Sequence, residues 1–192
     1  MSLQSKLPDV GTTIFTIMSR LAAEHNAINL SQGFPDFDAD PSLILAVSEA
    51  MAKGQNQYAP MPGLPDLNVA IARKLHGDYG WMPDPETEIT VTAGGTQALY
   101  SIIGAMISQG DEVIVLEPSY DSYIPSVVSF GGVVKTVQLL PPSYKVNWDE
   151  VESLITSRTK LIMINTPHNP CGVALEQSDL HRLEVIGLKN GI

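Results

Sequence analysis

The sequence predicts an α/β fold of three layers, in which helices cover both faces of a mainly parallel β-sheet. Two observations lead to this prediction. From about residue 87 onward, short apolar runs typical of strands alternate with segments of helical periodicity, which indicates βαβ units with right-handed crossovers. Three of these apolar runs are also followed by turns rich in glycine, proline or asparagine. In parallel sheets, ligands bind at such turns, beyond the carboxyl ends of the strands.

The part before residue 87 is predicted to be helical. An extended arm over residues 2–11 comes first, and loops rich in glycine, proline and amides are expected over residues 31–37 and 55–63. Three helices are expected. The first begins near Ile14, with Thr12 or Thr13 as its cap. The second begins at Pro41 after the cap Asp40 and ends before Gly54, and the third covers about 65–75.

Strands and helices are expected to alternate in the rest of the chain. The strands are predicted over residues 89–92, 112–116, 133–137 and 161–164, and the helices over about 99–106, after Tyr120, over 147–155 and over 178–189. Asn147 and Glu150 have the spacing of a capping box, and Gly191 is typical of a helix C-cap. Another strand is expected after Gly191, because a sheet that stopped there would keep an unpaired edge. We therefore interpret the sequence as the first part of a longer protein.

Composition and charge narrow the classes of function. The 192 residues are 44% hydrophobic and 17% charged, which is ordinary for a globular protein. The formal net charge of −10 argues against a nucleic-acid partner, which would need a basic face. The sequence has no apolar stretch of membrane-spanning length and no apolar signal core. Because Cys171 is the only cysteine, no internal disulfide can form, and we expect a cytoplasmic protein. We also expect no membrane partner and no metal site.

The turn over residues 93–99 has the composition of a phosphate site. A helix begins there, and a helix N-terminus offers backbone N–H groups and the positive end of the helix dipole. Gly94 and Gly95 let an anion approach the backbone closely, and the Thr96 hydroxyl is a further donor. The same glycines are equally compatible with packing of the helix on a strand. The turn is not a Walker loop, because no Gly-Lys-Ser/Thr follows.

Two tyrosines in or beside loops are candidate ligand-binding residues. Tyr120 follows a strand end and Pro118, so its ring could lie face-on against a flat ligand. A tyrosine of the core or its rim would show the same pattern, and Tyr123, one turn further on, is interpreted as packing. The Tyr58 hydroxyl could reach a phosphate, or Tyr58 could be a surface loop residue.

The turn that follows the strand over residues 161–164 carries amide side chains. Asn169 lies between Pro170 and the turn at Asn165. Its amide could stabilise an anionic ring oxygen, or it could satisfy backbone groups of the turn, as asparagine often does. His168 is interpreted as structural because no base partner or metal set lies nearby. Cys171 is interpreted as a small buried filler.

Together, these motifs resemble the fold-type I, class I/II, pyridoxal-phosphate-dependent aminotransferases. The resemblance rests on the order and spacing of Gly94-Gly95-Thr96-Gln97-Ala98-Leu99, Pro118-Ser119-Tyr120 and Asn165-Thr166-Pro167-His168-Asn169-Pro170. The segments Ser31-Gln32-Gly33-Phe34-Pro35-Asp36-Phe37 and Asn56-Gln57-Tyr58-Ala59-Pro60-Met61 are similar to the methionine aminotransferase branch, close to the kynurenine and glutamine transaminases. The resemblance runs from about Lys6 to the end and covers about half of a typical member.

The resemblance implies roles for seven residues and a domain division. Gly95, Thr96 and Gln97 would hold the phosphate of pyridoxal 5'-phosphate, Tyr120 would stack on its pyridine ring, and Asn169 would donate to its ring hydroxyl oxygen. Tyr58 would reach the phosphate of the neighbouring subunit in a homodimer with shared active sites, and the Gly33 backbone would lie by the substrate carboxylate. Residues 1–38 would form the N-terminal arm and small-domain segment, and residues 39–192 the first part of an incomplete cofactor-binding large domain.

The family also needs a lysine that forms a Schiff base with the cofactor, an acid at the pyridine nitrogen and an arginine for the substrate carboxylate. The resemblance implies that all three lie beyond Ile192. None of the seven lysines present is placed like a Schiff-base lysine; they are Lys6, Lys53, Lys74, Lys135, Lys145, Lys160 and Lys189. The chain by itself is therefore expected not to transaminate.

The function expected of the full-length protein is transfer of an amino group to a 2-oxo acid from methionine or another large apolar or aromatic L-amino acid. One alternative is a cysteine-conjugate β-lyase that uses the same cofactor pocket. A second is a non-catalytic fragment that holds pyridoxal phosphate. A third is an unrelated phosphate-binding α/β protein, against which the segment from Asn165 to Gly172 argues.

Overall fold

The computed structural model describes residues 4–8, 10–33 and 35–192. Ser2, Leu3 and Asp9 of the predicted arm and Phe34 of the loop around Gly33 lie outside the described residues. The chain forms two compact units: one comprises Gly94–Ile192 with the N-terminal segment up to Gly11, and the other comprises Thr12–Ala93. The domain boundary expected between residues 38 and 39 stays a prediction.

The unit Thr12–Ala93 contains three helices, which begin where the sequence predicts. They are α1 (Ile14–Glu24), α2 (Pro41–Ala52) and α3 (Pro65–Tyr79). The Thr13 hydroxyl caps α1 by accepting from the Thr16 N–H at 3.3 Å, and the Asp40 carboxylate caps α2 by accepting from the Ser42 N–H at 2.8 Å. Helix α3 is a turn longer than predicted, because only at Gly80, with φ +72°, does the backbone turn left-handed.

The strand predicted over residues 89–92 is wrong. These residues have no strand assignment, and the Val91 N–H donates to the carbonyl of Pro62 in a loop, at 2.9 Å. The apolar residues Ile89 and Val91 have a strand-like composition, but a strand also needs a neighbouring strand with which to exchange backbone hydrogen bonds. Here the hydrogen-bond partner of Val91 is a loop residue, Pro62, and not a residue of a neighbouring strand.

The other three predicted strands form one parallel sheet in the unit Gly94–Ile192. They are β1 (Glu112–Glu117), β2 (Val133–Gln138) and β3 (Thr159–Met163), in the order β2-β1-β3. Glu112 lies opposite Val133 on one side and Thr159 on the other, and a bulge at Lys160 brings Val113 opposite Leu161. The parallel sheet is confirmed, and the three carboxyl ends lie along one edge.

Helices cover both faces of the sheet, which confirms the three-layer architecture. They are α4 (Gly95–Met106) and α5 (Tyr123–Ser129) on one face, and α6 (Trp148–Ser153) and α7 (Gln177–Asn190) on the other. The central strand alternates between them: Val113 and Val115 pack on the first pair, and Ile114 and Leu116 on the second. All four side chains are buried, so β1 supplies both cores.

Capping explains where α6 and α7 begin. The Asn147 side chain accepts from the Glu150 N–H at 3.2 Å, but the Glu150 carboxylate accepts from the Asn147 side-chain amide instead of from its backbone, so the predicted capping box is half formed. A complete capping box, which the sequence reading missed, joins Glu176 and Asp179 at the start of α7. Gly191 ends α7 in the left-handed conformation, as predicted.

A cluster of charged and hydroxyl side chains lies at the amino edge of the sheet. The buried Glu112 carboxylate is bonded to the Lys135 ammonium at 2.8 Å, to the Thr156 hydroxyl at 2.6 Å and to the Arg158 guanidinium. These contacts, first with Lys135 and then with Thr156, lower the pKa of Glu112 from its ordinary value of 4.5 to about 2. We call these four residues the Glu112 cluster.

Within the described part of the chain, no helix combines the length and apolarity that crossing a membrane requires. Over the same residues, no group of three or more His, Cys, Asp or Glu side chains is arranged to hold a metal ion.

Candidate functional site

Two of the predicted site residues meet at the carboxyl edge of the sheet. A short connection joins α4 to β1, so the two elements run antiparallel and the N-terminus of α4 lies beside the carboxyl end of β1. Tyr120 lies three residues beyond that strand. Its hydroxyl is 3.2 Å from the Thr96 hydroxyl, across 24 residues of sequence. The structure thus places the predicted phosphate turn beside the predicted ring-stacking side chain.

The start of α4 has room for an anion. Gly94 is the N-cap residue with φ +84°, a conformation that favours glycine. A Cβ placed on Gly94 or Gly95 would meet no atom within 4 Å, so the space beside this backbone is open. Thr96 and Gln97 follow in the first turn and are exposed. The twelve-residue helix directs the positive end of its dipole toward this space.

Aromatic packing holds Tyr120 from the side. The Tyr120 and Tyr123 ring centroids are 5.7 Å apart at an interplanar angle of 74°, an edge-to-face pair. Tyr123 also packs against the core formed by α4, α5 and β1, as its interpretation as a packing residue implies. Burial, with a smaller contribution from Tyr120, raises the pKa of the Tyr123 hydroxyl. Tyr120 itself is half-buried.

The turn after β3 is closed by three hydrogen bonds. The Asn165 side-chain oxygen accepts from the Asn169 N–H at 2.7 Å. The His168 N–H donates to the Val173 carbonyl, and the Gly172 N–H donates to the His168 carbonyl, each at 2.7 Å. Asn169 is exposed. Its side chain is therefore presented by a turn whose backbone is fixed on both sides.

Two side chains of this turn differ from Asn169 in being shielded from solvent. His168 is buried, and burial lowers the pKa of its imidazole. Cys171 is half-buried against the core formed with α6 and α7, and burial raises the pKa of its thiol. A thiol with a raised pKa is less often a thiolate, so Cys171 has no features of a nucleophile.

The two remaining predicted residues belong to the unit Thr12–Ala93. Tyr58 is fully exposed, with a relative exposure of 101%, in the loop between α2 and α3. Gly33 lies in the loop between α1 and α2, and a Cβ placed on it would meet no atom within 4 Å. Both positions are accessible to another molecule.

Most lysines are engaged elsewhere. Lys160 is the second residue of β3, at the amino end of that strand, as the sequence reading placed it. The other six make polar contacts: Lys6 with the Ser129 carbonyl, Lys53 with Glu49, Lys74 with Asp78, Lys135 with Glu112, Lys145 with Glu176 and Lys189 with Glu152. None of the five in the unit Gly94–Ile192 and its N-terminal segment contacts Thr96, Tyr120 or Asn169 in the described structure.

Sequence reasoning missed one feature beside the site. A cavity of about 190 Å³ lies behind the turn after β3 and is lined by His168 and Asn165 among others. No local pattern in the sequence signals it, because its walls come from three separate stretches of the chain, at residue 116, within 139–146 and within 165–179, which only the fold assembles.

Comparison with known proteins shows what the chain is similar to. A family model described as "Aminotransferase class I and II" matches residues 25–192. The chain is 52% identical over 180 residues to methionine aminotransferase of Escherichia coli K12, covering 94% of this chain and 47% of that relative. It is 33% identical over 201 residues to kynurenine–oxoglutarate transaminase of Dictyostelium discoideum, covering 94% of this chain and 45% of the relative.

Solved structures agree with these matches. The crystal structure of YbdL from Escherichia coli, described as having a methionine aminotransferase function, has a TM-score of 0.95 at 50% identity, covering 98% of this chain and 50% of that chain. N-succinyldiaminopimelate aminotransferase from Mycobacterium tuberculosis has a TM-score of 0.93 at 38% identity, covering 100% and 50%. The chain spans about half the length of the curated relatives it matches.

Proposed function

Because this chain belongs to the class I and II aminotransferase family, we propose that the full-length protein is a pyridoxal-phosphate-dependent transaminase. It transfers the amino group of methionine, or of another large apolar or aromatic L-amino acid, to a 2-oxo acid. Relatives in this family depend on pyridoxal phosphate. The choice of substrate is supported by the 52% identity to a methionine aminotransferase. The relatives described above are all aminotransferases, so the β-lyase alternative has no support from them.

The observation that carries the proposal is the contact between Thr96 and Tyr120. It joins the open glycine turn at the positive end of α4 to an aromatic ring at the carboxyl edge of the sheet. A phosphate monoester attached to a flat ring needs both parts side by side. The residues present therefore fit pyridoxal phosphate.

Each residue of this edge has one task. Gly95, Thr96 and Gln97 bind the phosphate with backbone and hydroxyl or amide donors, which anchors the cofactor. Tyr120 covers a face of the ring, and the Asn169 amide donates to the ring hydroxyl oxygen, which keeps that oxygen anionic. When bound, pyridoxal phosphate supplies an electron-accepting ring for the electrons released at the substrate Cα.

The proposal assigns the remaining parts of the site to residues outside the carboxyl edge of the sheet. The Tyr58 hydroxyl donates a hydrogen bond to the phosphate held by the neighbouring subunit of a homodimer. The Gly33 backbone lies by the substrate carboxylate. The exposure of both positions supports these roles. The lysine that binds the cofactor, the acid at the ring nitrogen and the arginine belong to the part of the protein that follows residue 192.

Two broader expectations complete the proposal. The protein works in the cytoplasm, which the single cysteine supports. Residues 1–38 belong to the arm and small domain, and residues 39–192 to the cofactor-binding domain.

Product analysis of the full-length protein tests the reaction. With methionine and a 2-oxo acid, we expect a sulfur-containing 2-oxo acid and the amino acid formed from the acceptor. With a cysteine conjugate, release of pyruvate and a thiol at a higher kcat/KM than methionine transamination would contradict the proposal in favour of the β-lyase. The control is Asn169→Ala, which should lower methionine turnover.

Mixed dimers test the proposed role of Tyr58. Subunits with Tyr58→Phe and subunits with Asn169→Ala are each expected to form defective homodimers. If Tyr58 serves the neighbouring subunit, a mixed dimer contains one intact site and one doubly altered site, so mixing restores activity. If Tyr58 serves its own subunit, every site in the mixed dimer carries one defect and mixing restores nothing. Unchanged activity of the Tyr58→Phe homodimer would remove Tyr58 from the site.

A further inference from the structure

Tyr58 depends on its backbone for its position. Its side chain is fully exposed, so packing against the rest of the unit Thr12–Ala93 does not hold the ring. The loop between α2 and α3 therefore presents Tyr58 through its own backbone. The bonds that fix this loop on each side of Tyr58 decide where the hydroxyl is offered to another molecule.

The side of the loop before Tyr58 is fastened to the end of α2. The Asn56 side-chain amide donates to the Met51 carbonyl at 3.0 Å. The Gln55 N–H donates to the Ala50 carbonyl at 3.1 Å. Both acceptors lie in the last turn of the neighbouring helix, so this half of the loop is held by local bonds.

The side of the loop after Tyr58 is fastened to a distant segment. The Gly63 N–H donates to the Pro60 carbonyl at 2.9 Å, which closes a turn between them. The Val91 N–H donates to the Pro62 carbonyl within that turn, also at 2.9 Å. Three residues, of which Tyr58 is the middle one, are left between the two fastened parts of the loop.

Asn68 joins the same turn to the segment before Val91. It lies near the start of α3 and is buried, with a relative exposure of 4%. Its side-chain Nδ2 atom donates to the carbonyls of Pro62 at 3.4 Å, Pro85 at 3.2 Å and Ile89 at 3.4 Å. Three carbonyl oxygens fix the orientation of the amide, because an oxygen in place of Nδ2 would be repelled by all of them.

Gly63 leaves the space that the Asn68 amide needs. Gly63 has φ +114°, and a Cβ placed on it would lie 2.9 Å from Asn68 Oδ1 and 2.8 Å from the Cγ2 atom of Val91. The Oδ1 atom is buried and has no hydrogen-bond partner among the described residues, so the amide is held through its nitrogen. These three residues therefore pack tightly where the loop ends.

We propose that Asn68 is a positioning residue for Tyr58: its buried amide fixes the end of the loop from which the Tyr58 hydroxyl reaches the cofactor phosphate of the neighbouring subunit. This inference rests on the role proposed for Tyr58. A neutral amide suits the task, since it donates to several carbonyls without placing a charge in the interior.

Amide hydrogen exchange of the full-length protein tests whether Asn68 fixes the loop. In Asn68→Ala, we expect peptides that contain Gly63 or Val91 to exchange about tenfold faster than in the wild type, because local opening becomes easier. The control is Ile71→Ala, a large-to-small change at a half-buried residue of the same helix, which lowers stability without removing a polar anchor. Exchange that is unchanged in Asn68→Ala, or equally fast in both variants, would overturn the proposal.

A double-mutant cycle with Tyr58→Phe tests the positioning role. The readout is the dissociation constant of pyridoxal 5'-phosphate from the full-length protein. Alone, Asn68→Ala should weaken binding about tenfold, as should Tyr58→Phe, because each loses a hydrogen bond to a charged phosphate. Added to Tyr58→Phe, Asn68→Ala should weaken binding by less than about twofold more, since no hydroxyl remains to be positioned. Ile71→Ala should leave the affinity unchanged.

The outcomes separate this inference from the proposed function. Equal losses of affinity from Asn68→Ala in both backgrounds, or no loss in either, would overturn the positioning role. Gly63→Ala disturbs the same contact from the loop side and decides the point if Asn68→Ala does not fold. If Tyr58→Phe alone left the affinity unchanged, the role proposed for Tyr58 would fail and the positioning role with it, while hydrogen exchange would still decide whether Asn68 fixes the loop. A protein that binds no pyridoxal phosphate would contradict the proposed function itself.

Discussion

The two edges of the sheet use polar side chains in opposite ways. At the amino edge, the Glu112 carboxylate is buried and is bonded to Lys135, Thr156 and Arg158. At the carboxyl edge, Thr96 and Asn169 are exposed, and the space beside the glycine turn is open. The Glu112 carboxylate at the amino edge is bonded within the protein, whereas the carboxyl edge leaves polar side chains exposed to solvent.

This difference has a physical cause. A buried charge is tolerated only with close partners, so the amino edge contributes to stability when its set of partners is complete. Ligand binding needs donors and open space, which contribute little to folding. Because helices that return antiparallel to the strands present their N-termini at the carboxyl edge, that edge also has the favourable dipole for an anion. Variants at the two edges should therefore affect different measurements.

The largest effect is expected from Glu112→Gln. The substitution keeps the shape but removes the charge that Lys135 and Arg158 share, and breaking a buried ion pair is strongly destabilising. We expect the melting temperature of the full-length protein to fall by about 10 °C. Cofactor affinity should stay unchanged.

The matched control is Glu49→Gln, which makes the same chemical change in an exposed pair with Lys53. Exposed ion pairs contribute little to the free energy of unfolding, so the melting temperature should change by at most about 2 °C. Equal effects of the two variants would contradict the view that the Glu112 cluster stabilises the amino edge.

The pH dependence of stability sharpens the same point. The pKa of Glu112 is lowered in the folded protein from 4.5 to about 2, so the folded state favours the ionised carboxylate. The stability that this provides is complete above about pH 5 and is lost as the pH falls from 4.5 toward 2. The difference in stability between the wild type and Glu112→Gln, measured by urea unfolding at a series of pH values, should shrink over that interval. A difference that stays constant down to pH 2 would contradict the lowered pKa.

At the carboxyl edge, Tyr120→Ala should weaken cofactor binding by about one to three kcal/mol, since it removes the ring that stacks on the ligand. The measurement is the dissociation constant of pyridoxal phosphate from the full-length protein. The control is Tyr120→Phe, which keeps the ring and loses only the hydroxyl contact with Thr96. Unchanged affinity in Tyr120→Ala would remove Tyr120 from its proposed role.

The smallest effect is expected from Thr96→Val, which keeps the side-chain volume but removes one hydroxyl donor. Loss of one hydrogen bond is worth about 1 kcal/mol, so affinity for pyridoxal phosphate should fall about fivefold. Because Thr96 is exposed, the melting temperature of the cofactor-free protein should stay within about 2 °C of the wild type. A marked loss of stability without loss of affinity would place Thr96 in the scaffold and not in the site. Thr96→Ser, which keeps the hydroxyl, is the control.

The elements that the sequence predicts well are those with a local cause. Thr13 and Asp40 cap helices through bonds to residues two or three positions further on, and the three strands of the sheet are short runs rich in apolar and β-branched residues. The failed strand over residues 89–92 has the right composition, but it required a partner strand, which a local pattern cannot reveal. The capping box of Glu176 and Asp179 was also missed.

The candidate site was predictable as a set of turns but not as a geometry. The sequence by itself determined that a tyrosine and an asparagine follow strand ends and that a glycine turn begins a helix, because order along the chain and local periodicity are enough for that. Only the tertiary structure decided that Thr96 meets Tyr120 across 24 residues and that Glu112 meets Arg158 across 46. Such pairings depend on strand register and helix packing, and the burial of one nitrogen of His168 depends on the same long-range assembly.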